Sequence, residues 1–167
     1  MGHFLFDSRL PSPPAFPILF VHAQSSESTL IRMVLESSNI RVRQAESLEE
    51  AAEFAPEALP KLILADWDMD GLDGRTLVAN LRACCNQLRS VPAILLTDRV
   101  LIPGIVRELM SENYAWILKK PIVTTSLPKL ILRTVNDSAS AQRPLGRTRI
   151  PLLDFGETAS SSFMPAV

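Results

Sequence analysis

Short, continuous apolar runs alternate along the chain with stretches whose apolar residues recur every three or four positions. Pro17 to Val21 is an apolar run that suits a buried strand. Ser25 to Ser38 carries Leu30, Ile31, Val34 and Leu35 at helical spacing, behind serines able to cap it. Ile40 to Arg43 is a second, shorter strand, and Ser47-Leu-Glu-Glu50 has the form of a capping box opening a helix to about Phe54. In Lys61 to Ala65 the residues Leu62, Ile63 and Leu64 are continuous, as a strand covered on both faces requires. Asp73 then caps a helix in which Leu77, Leu81 and Leu88 share a face. Ala93 to Leu96 follows Pro92 as a fourth strand, Ile105 to Ser111 reads as a helix, and Ala115 to Leu118 as a fifth strand. Ser126 opens a last helix, with Pro128 tolerated in its first turn and Leu130, Ile131 and Val135 on one side.

Five strands alternating with five helices predict a single doubly wound α/β domain, a five-stranded parallel sheet with helices on both faces. In such sheets functional groups gather at the C-terminal strand ends, near the switch in strand order. The residues at those ends are His22, Asp66, Thr97 and Lys120. Residues 1–15, with Pro11, Pro13 and Pro14, read as an extended leader and residues 16–136 as the domain. Residues 137–167 are polar and rich in Pro, Gly and Ser, which predicts a disordered tail interrupted by one apolar island, Ile150 to Phe155.

Composition narrows the classes. With 167 residues, 47% hydrophobic and 21% charged, the chain can bury a core without metals or disulfides. A net charge of −1 gives no global pull toward nucleic acid or membrane, and no apolar run approaches the roughly 20 residues of a membrane span. The start lacks the basic segment of a signal peptide. The adjacent Cys84 and Cys85 supply neither a disulfide framework nor a zinc site, so a reducing, cytoplasmic setting is expected.

An aspartate that follows a buried strand can attack a phosphoryl group, because its carboxylate projects from the sheet edge. The incoming group is rich in negative oxygens, and a lysine ammonium, a hydroxyl and a divalent cation meet that need. Lys120 and Thr97, at the ends of the fifth and fourth strands, are placed to converge on Asp66. Leu62-Ile-Leu-Ala-Asp66-Trp-Asp-Met-Asp-Gly-Leu-Asp-Gly74 resembles the signature of response regulator receiver domains around their phosphoacceptor. Leu95-Leu-Thr97 resembles the family's switch threonine motif and Lys119-Lys120-Pro121 its lysine–proline motif. The resemblance runs from about Phe16 to Val135, and the three motifs occur in order at strand ends.

The resemblance to this CheY-like family implies a stand-alone, cytoplasmic phosphoacceptor domain of two-component signalling rather than an enzyme. Asp66 would take phosphate from a histidine kinase or phosphotransfer protein. Lys120 would pair with it and Thr97 would turn to hydrogen-bond it. Pro121 would follow a cis bond. A downstream protein would read the face made by the fourth helix, fifth strand and fifth helix. Direct nucleic-acid contact and membrane insertion are not expected.

Three positions depart from the family. An acidic pair that helps to bind Mg²⁺ is replaced by His22 and Ala23, and neither is a ligand suited to a hard, oxygen-seeking cation. Asp70 stands where proline is usual, and Ile117 where an aromatic switch residue is usual, with Tyr114 and Trp116 out of register. Two readings follow. Asp68 or Asp70, in the loop beside Asp66, could restore oxygen ligands so that Asp66 and Asp68 still hold Mg²⁺, or the domain is a pseudo-receiver that docks partners without phosphorylation. Two rival readings are more remote. An EF-hand loop starting at Asp66 would need an aliphatic residue at Asp73 and a glutamate at Leu77. A haloacid-dehalogenase-like phosphatase, suggested by Asp66-Trp-Asp68, needs a later acidic cluster, yet the first acid after Lys120 is Asp137.

Overall fold

The computed structural model describes residues 17–69, 71–140 and 152–153. In chain order it contains β1 (Ile18–Val21), α1 (Ser26–Ser37), β2 (Val42–Ala45), α2 (Leu48–Ala58) and β3 (Leu62–Asp66). A small hairpin of β4 (Asp68–Met69) and β5 (Leu72–Asp73) follows, then α3 (Gly74–Cys84), a 3-10 turn (Asn86–Leu88) and β6 (Ala93–Thr97). The chain continues through α4 (Pro103–Ser111), β7 (Tyr114–Lys119), α5 (Leu127–Ser140) and β8 (Leu152–Leu153). The leader and Asp70 lie outside the described residues, as does the tail apart from Asp137 to Ser140, which are helical, and the strand β8.

Every residue of β1, β3 and β6 is buried, which is why these strands run apolar without alternation, up to Asp66 at the end of β3 and Thr97 at the end of β6. They pair in parallel in the order β2–β1–β3–β6–β7, so the strand order reverses between β1 and β3. Alternate strand residues feed two cores. Ile18, Phe20, Leu62, Leu64 and Leu96 pack with α1 and α5, through Ile31, Leu35, Leu127 and Ile131. Leu19, Val21, Ile63, Ala65 and Leu95 pack with α2, α3 and α4, through Ala51, Ala55, Leu77, Leu81 and Leu109. This is the doubly wound five-stranded sheet that the alternation predicts.

β8 adds to the free edge of β7, Ile117 facing Leu152 and Leu118 facing Leu153. β8 is a sixth strand, added outside β7 and beyond the five strands of the doubly wound frame.

Local differences from the sequence reading have local causes. Leu30 is 51% exposed because the stripe of α1 that meets the sheet is Ser28, Ile31 and Leu35, and Leu30 is turned away from it. β2 begins two residues late because Ile40 still belongs to the turn after α1, its N–H bonded to Leu35 O, with Asn39 at φ 60°. α2 runs past Phe54 and tolerates Pro56, whose missing N–H costs it one hydrogen bond. Ser47 Oγ accepts the Glu50 N–H, but Glu50 reaches back to the Glu46 N–H rather than to Ser47.

Gly74 fixes how closely α3 approaches the end of β3. Its N–H donates to Trp67 O at 2.6 Å, and a Cβ here would lie 2.8 Å from Asp66 O and 3.0 Å from Leu95 Cδ2. The backbone of β3 cannot yield without moving Asp66. Gly74→Ala is expected to destabilise the domain by about 1–3 kcal/mol, measured as a lowered midpoint in urea.

Candidate functional site

Five connections leave the C-terminal edge of the sheet, and side chains at that edge converge. β3 ends at Asp66, whose strand neighbour is Leu96 of β6, and the Trp67 N–H donates to Leu96 O at 2.7 Å. β6 ends at Thr97, paired with Lys119, and the Lys120 N–H donates to Thr97 O at 2.7 Å. These backbone bonds place Lys120 one residue beyond β7 and aim it at the neighbouring strand end. The Lys120–Pro121 peptide bond is cis.

Asp66 is buried except for a small opening, and Lys120 Nζ donates to its Oδ2 at 3.0 Å. The same oxygen lies 3.1 Å from His22 Nε2. Thr97 is fully buried, and its Oγ1 accepts the Arg99 N–H at 3.0 Å. Asp68 projects from the hairpin and is held by the Arg99 guanidinium, with Nε to Oδ2 at 3.0 Å and Nη2 on Oδ1.

His22 turns inward. It is 4% exposed, its ring lies against Phe20, and Nδ1 donates to Ala23 O at 2.7 Å. A carbonyl only accepts, so Nδ1 carries a hydrogen, and Nε2 is the atom turned to the pocket.

Glu27 completes the cluster, and sequence reasoning missed it. The α1 N-terminus is fixed by a reciprocal cap, Ser25 Oγ accepting the Ser28 N–H and Ser28 Oγ accepting the Ser25 N–H. The cap puts Glu27 in the first turn, directed at the strand ends. Its Oε2 lies 2.9 Å from Lys120 Nζ and 3.6 Å from His22 Nε2. Lys120 therefore bridges two carboxylates. Burial opposes its charge, but hydrogen bonds and charges from Glu27 and Asp66 outweigh that and hold its pKa above the ordinary lysine value. The signal that could have found Glu27 is positional, since helices following strands in this fold start at the functional edge.

Of the sequence-derived residues, the structure brings Asp66, Lys120 and His22 into contact. Thr97 stands at the adjacent strand end and Asp68 is turned to Arg99. Ile117 is fully buried, so the position usually held by an aromatic switch here belongs to the core. Nearby Trp116 donates Nε1–H to Thr134 Oγ1 at 2.9 Å, tying β7 to α5. Chemically, the pocket offers a carboxylate nucleophile, a lysine able to bind oxyanions and a buried hydroxyl within one strand spacing.

Known proteins resemble this chain over most of its length. The family model for the response regulator receiver domain matches residues 18–132. Transcriptional activator protein ExaE of Pseudomonas putida is 28% identical over 108 residues, 65% of this chain and 49% of that protein, so the chain spans about half the length of this relative. Among solved structures, the signal receiver domain of a modulated diguanylate cyclase from Desulfovibrio desulfuricans G20 is 26% identical. The match covers 75% of this chain and 98% of that one, with a TM-score of 0.62. Chemotaxis response regulator CheY4 of Vibrio cholerae, at 24% identity, supports the fold alone, with a TM-score of 0.62 over 71% of this chain and 98% of that one. No helix among the described residues is long and apolar enough to cross a membrane.

Proposed function

Because the chain belongs to the response regulator receiver domain family, we propose that it is a two-component signalling module whose Asp66 accepts a phosphoryl group. Receiver domains interact with histidine kinases, and they are phosphoacceptor modules rather than enzymes. The observation that carries the reading is the Asp66 carboxylate at the end of β3 with Lys120 Nζ 3.0 Å away. An Asp66 oxygen attacks phosphorus as the bond to the donor's leaving group breaks, and that group departs with the electron pair. Lys120 then offsets charge on the phosphoryl oxygens. Thr97 reaches the new group by giving up the Arg99 amide, which loosens the loop into α4. That movement is the route from the pocket to a partner on the α4–β7–α5 face. With Ile117 in the core, the signal on this face is carried by the loop and α4.

The test is intact mass after incubation with acetyl phosphate. The native chain is expected to gain one phosphoryl group and Asp66→Ala none. An unmodified native chain, still folded and beside a receiver that labels normally, would overturn the proposal. A second reading is favoured by one contact, since Glu27 already occupies Lys120 at 2.9 Å. In that reading the ion pair closes the pocket permanently, and the domain docks its partner without phosphorylation.

A further inference from the structure

Receiver domains typically bind Mg²⁺. The residues around Asp66 in this chain do not fit that ion. Mg²⁺ demands oxygen donors in near-octahedral arrangement at about 2.0–2.1 Å, and each of the carboxylates Asp66, Glu27 and Asp68 is already paired with a cationic side chain. Oδ2 of Asp66 is flanked by Lys120 Nζ at 3.0 Å and His22 Nε2 at 3.1 Å. An ion bound to that oxygen would have to displace a ring that is buried, packed on Phe20 and hydrogen-bonded through its far nitrogen. Ala23 has no donor atom in its side chain. Asp68 is gripped at both oxygens by Arg99. Glu27, the other acid at the pocket, spends Oε2 on Lys120. Among the described residues, no group of three or more His, Cys, Asp or Glu side chains is placed to hold a metal ion.

We propose that the Asp66 pocket takes phosphoryl groups without a divalent cation, the His22 ring filling the ion's place and Glu27 acting as a displaceable counterion on Lys120. This rests on Asp66 being the phosphoacceptor. A pocket with three acids needs a dication to receive a further anion. Here the two carboxylates that meet at Lys120 are Asp66 and Glu27, and the second is not part of the reaction. Glu27 sits on the first turn of α1 with its side chain 35% exposed, so it can turn to solvent at little desolvation cost. The exchange is one anion for another. Glu27 leaves Nζ, the phosphoryl oxygens take its place, and the local charge balance changes by far less than if a dianion arrived beside an undisturbed ion pair. With acetyl phosphate as donor, the Asp66 oxygen–phosphorus bond forms, the acetyl oxygen–phosphorus bond breaks, and acetate leaves with the electron pair.

The experiment has two arms on the full chain. In the first, Mn²⁺ binding is followed by loss of the free-ion electron paramagnetic resonance signal, for the native chain and for the double variant His22→Asp, Ala23→Asp. The native chain is expected to show no saturable binding up to about 1 mM, the range of weak protein sites for divalent cations, while the double variant binds. Saturable binding by the native chain, lost in Asp66→Ala, overturns the proposal even if the double variant fails to fold. In the second arm, acetyl phosphate labelling is compared in Mg²⁺ and in excess chelator. Equal labelling supports the proposal, and labelling that needs Mg²⁺ overturns it. Glu27→Gln should speed labelling by about tenfold, and labelling unchanged or slowed would overturn the counterion role. Absence of label under every condition refutes Asp66 as acceptor, and the Mn²⁺ arm alone then decides whether the pocket holds a cation.

Discussion

Lys120→Met is expected to lower the stability of the domain by about 2–3 kcal/mol and to abolish labelling of Asp66. Removing one partner of a buried ion pair costs roughly 3–5 kcal/mol because the other charge is left uncompensated. Lys120 is partnered on two sides, by Asp66 and Glu27, but its side chain is 18% exposed and that of Glu27 35%, so solvent reduces the loss. Equilibrium unfolding in urea measures the first effect and intact mass the second. The variant also has a pH signature. The Lys120 pKa is raised in the folded chain, so its contribution is complete below the ordinary value of 10.5 and is lost as pH rises through the folded value. Tyr114 adds to the same alkaline descent, since burial pushes its phenol up from 10.0 to about 12. Stability of the native chain therefore falls from about pH 10 upward. In Lys120→Met the lysine part of that fall disappears while the tyrosine part, between about pH 10 and 12, stays. An unchanged alkaline profile in the variant would show that Lys120 does not bridge the two carboxylates in solution.

The parts of this fold that could be read from the chain are those where burial is total. β3 and β6 are continuously apolar up to their last residues, Asp66 and Thr97, because helices cover both faces. β2 was misplaced by two residues because its run Val-Arg-Gln-Ala mixes polar with apolar, as an outer strand of the sheet permits. The β4–β5 hairpin has two residues on each side, too few for any period to show. β8 could not have been foreseen, because a two-residue strand in a polar tail has no pattern distinct from an incidental apolar island.

The site divides in the same way. Asp66, Thr97 and Lys120 stand at or just after strand ends, where the chain leaves the core and a polar residue is conspicuous. His22 was visible as a position but not as a contact, because nothing in a sequence says whether a histidine after a strand turns inward. Glu27 was hidden by its surroundings. An acid in the first turn of a helix is ordinary, stabilised there by the helix dipole whatever it faces. Arg99 reaches Asp68 across 31 positions of sequence through a long side chain, and no spacing rule connects the two.

Arg82→Ala is expected to destabilise the domain by about 2–4 kcal/mol while leaving the labelling of folded Asp66 intact. Arg82 lies on α3 and its guanidinium binds three backbone carbonyls: Nη1 donates to Glu112 O at 2.7 Å, and Nη2 to Val91 O at 3.0 Å and Asn113 O at 3.1 Å. These carbonyls belong to the segments that lead into β6 and β7, and the guanidinium also lies over the Tyr114 ring at 5.3 Å. Burial lowers the Arg82 pKa, but charge on this side chain is retained across the pH range of a folded protein. Loss of hydrogen bonds from a charged donor costs about 1.5–3 kcal/mol each where the partner is left dry, less where water replaces the donor. Arg82→Lys should recover only part of the loss, because an ammonium cannot fork across three acceptors. The clamp sits at the N-terminal ends of the strands and the pocket at their C-terminal ends, separated along β6 by about 20 Å of extended chain. At that separation the effects of Arg82→Ala and Lys120→Met should add. A double variant measured by urea unfolding checks this: a loss equal to the sum marks two independent devices, one holding the fold and one holding the site. A loss clearly smaller than the sum would mean that the clamp's strain reaches Asp66 through β6, and the separation of stability from signalling chemistry would not hold.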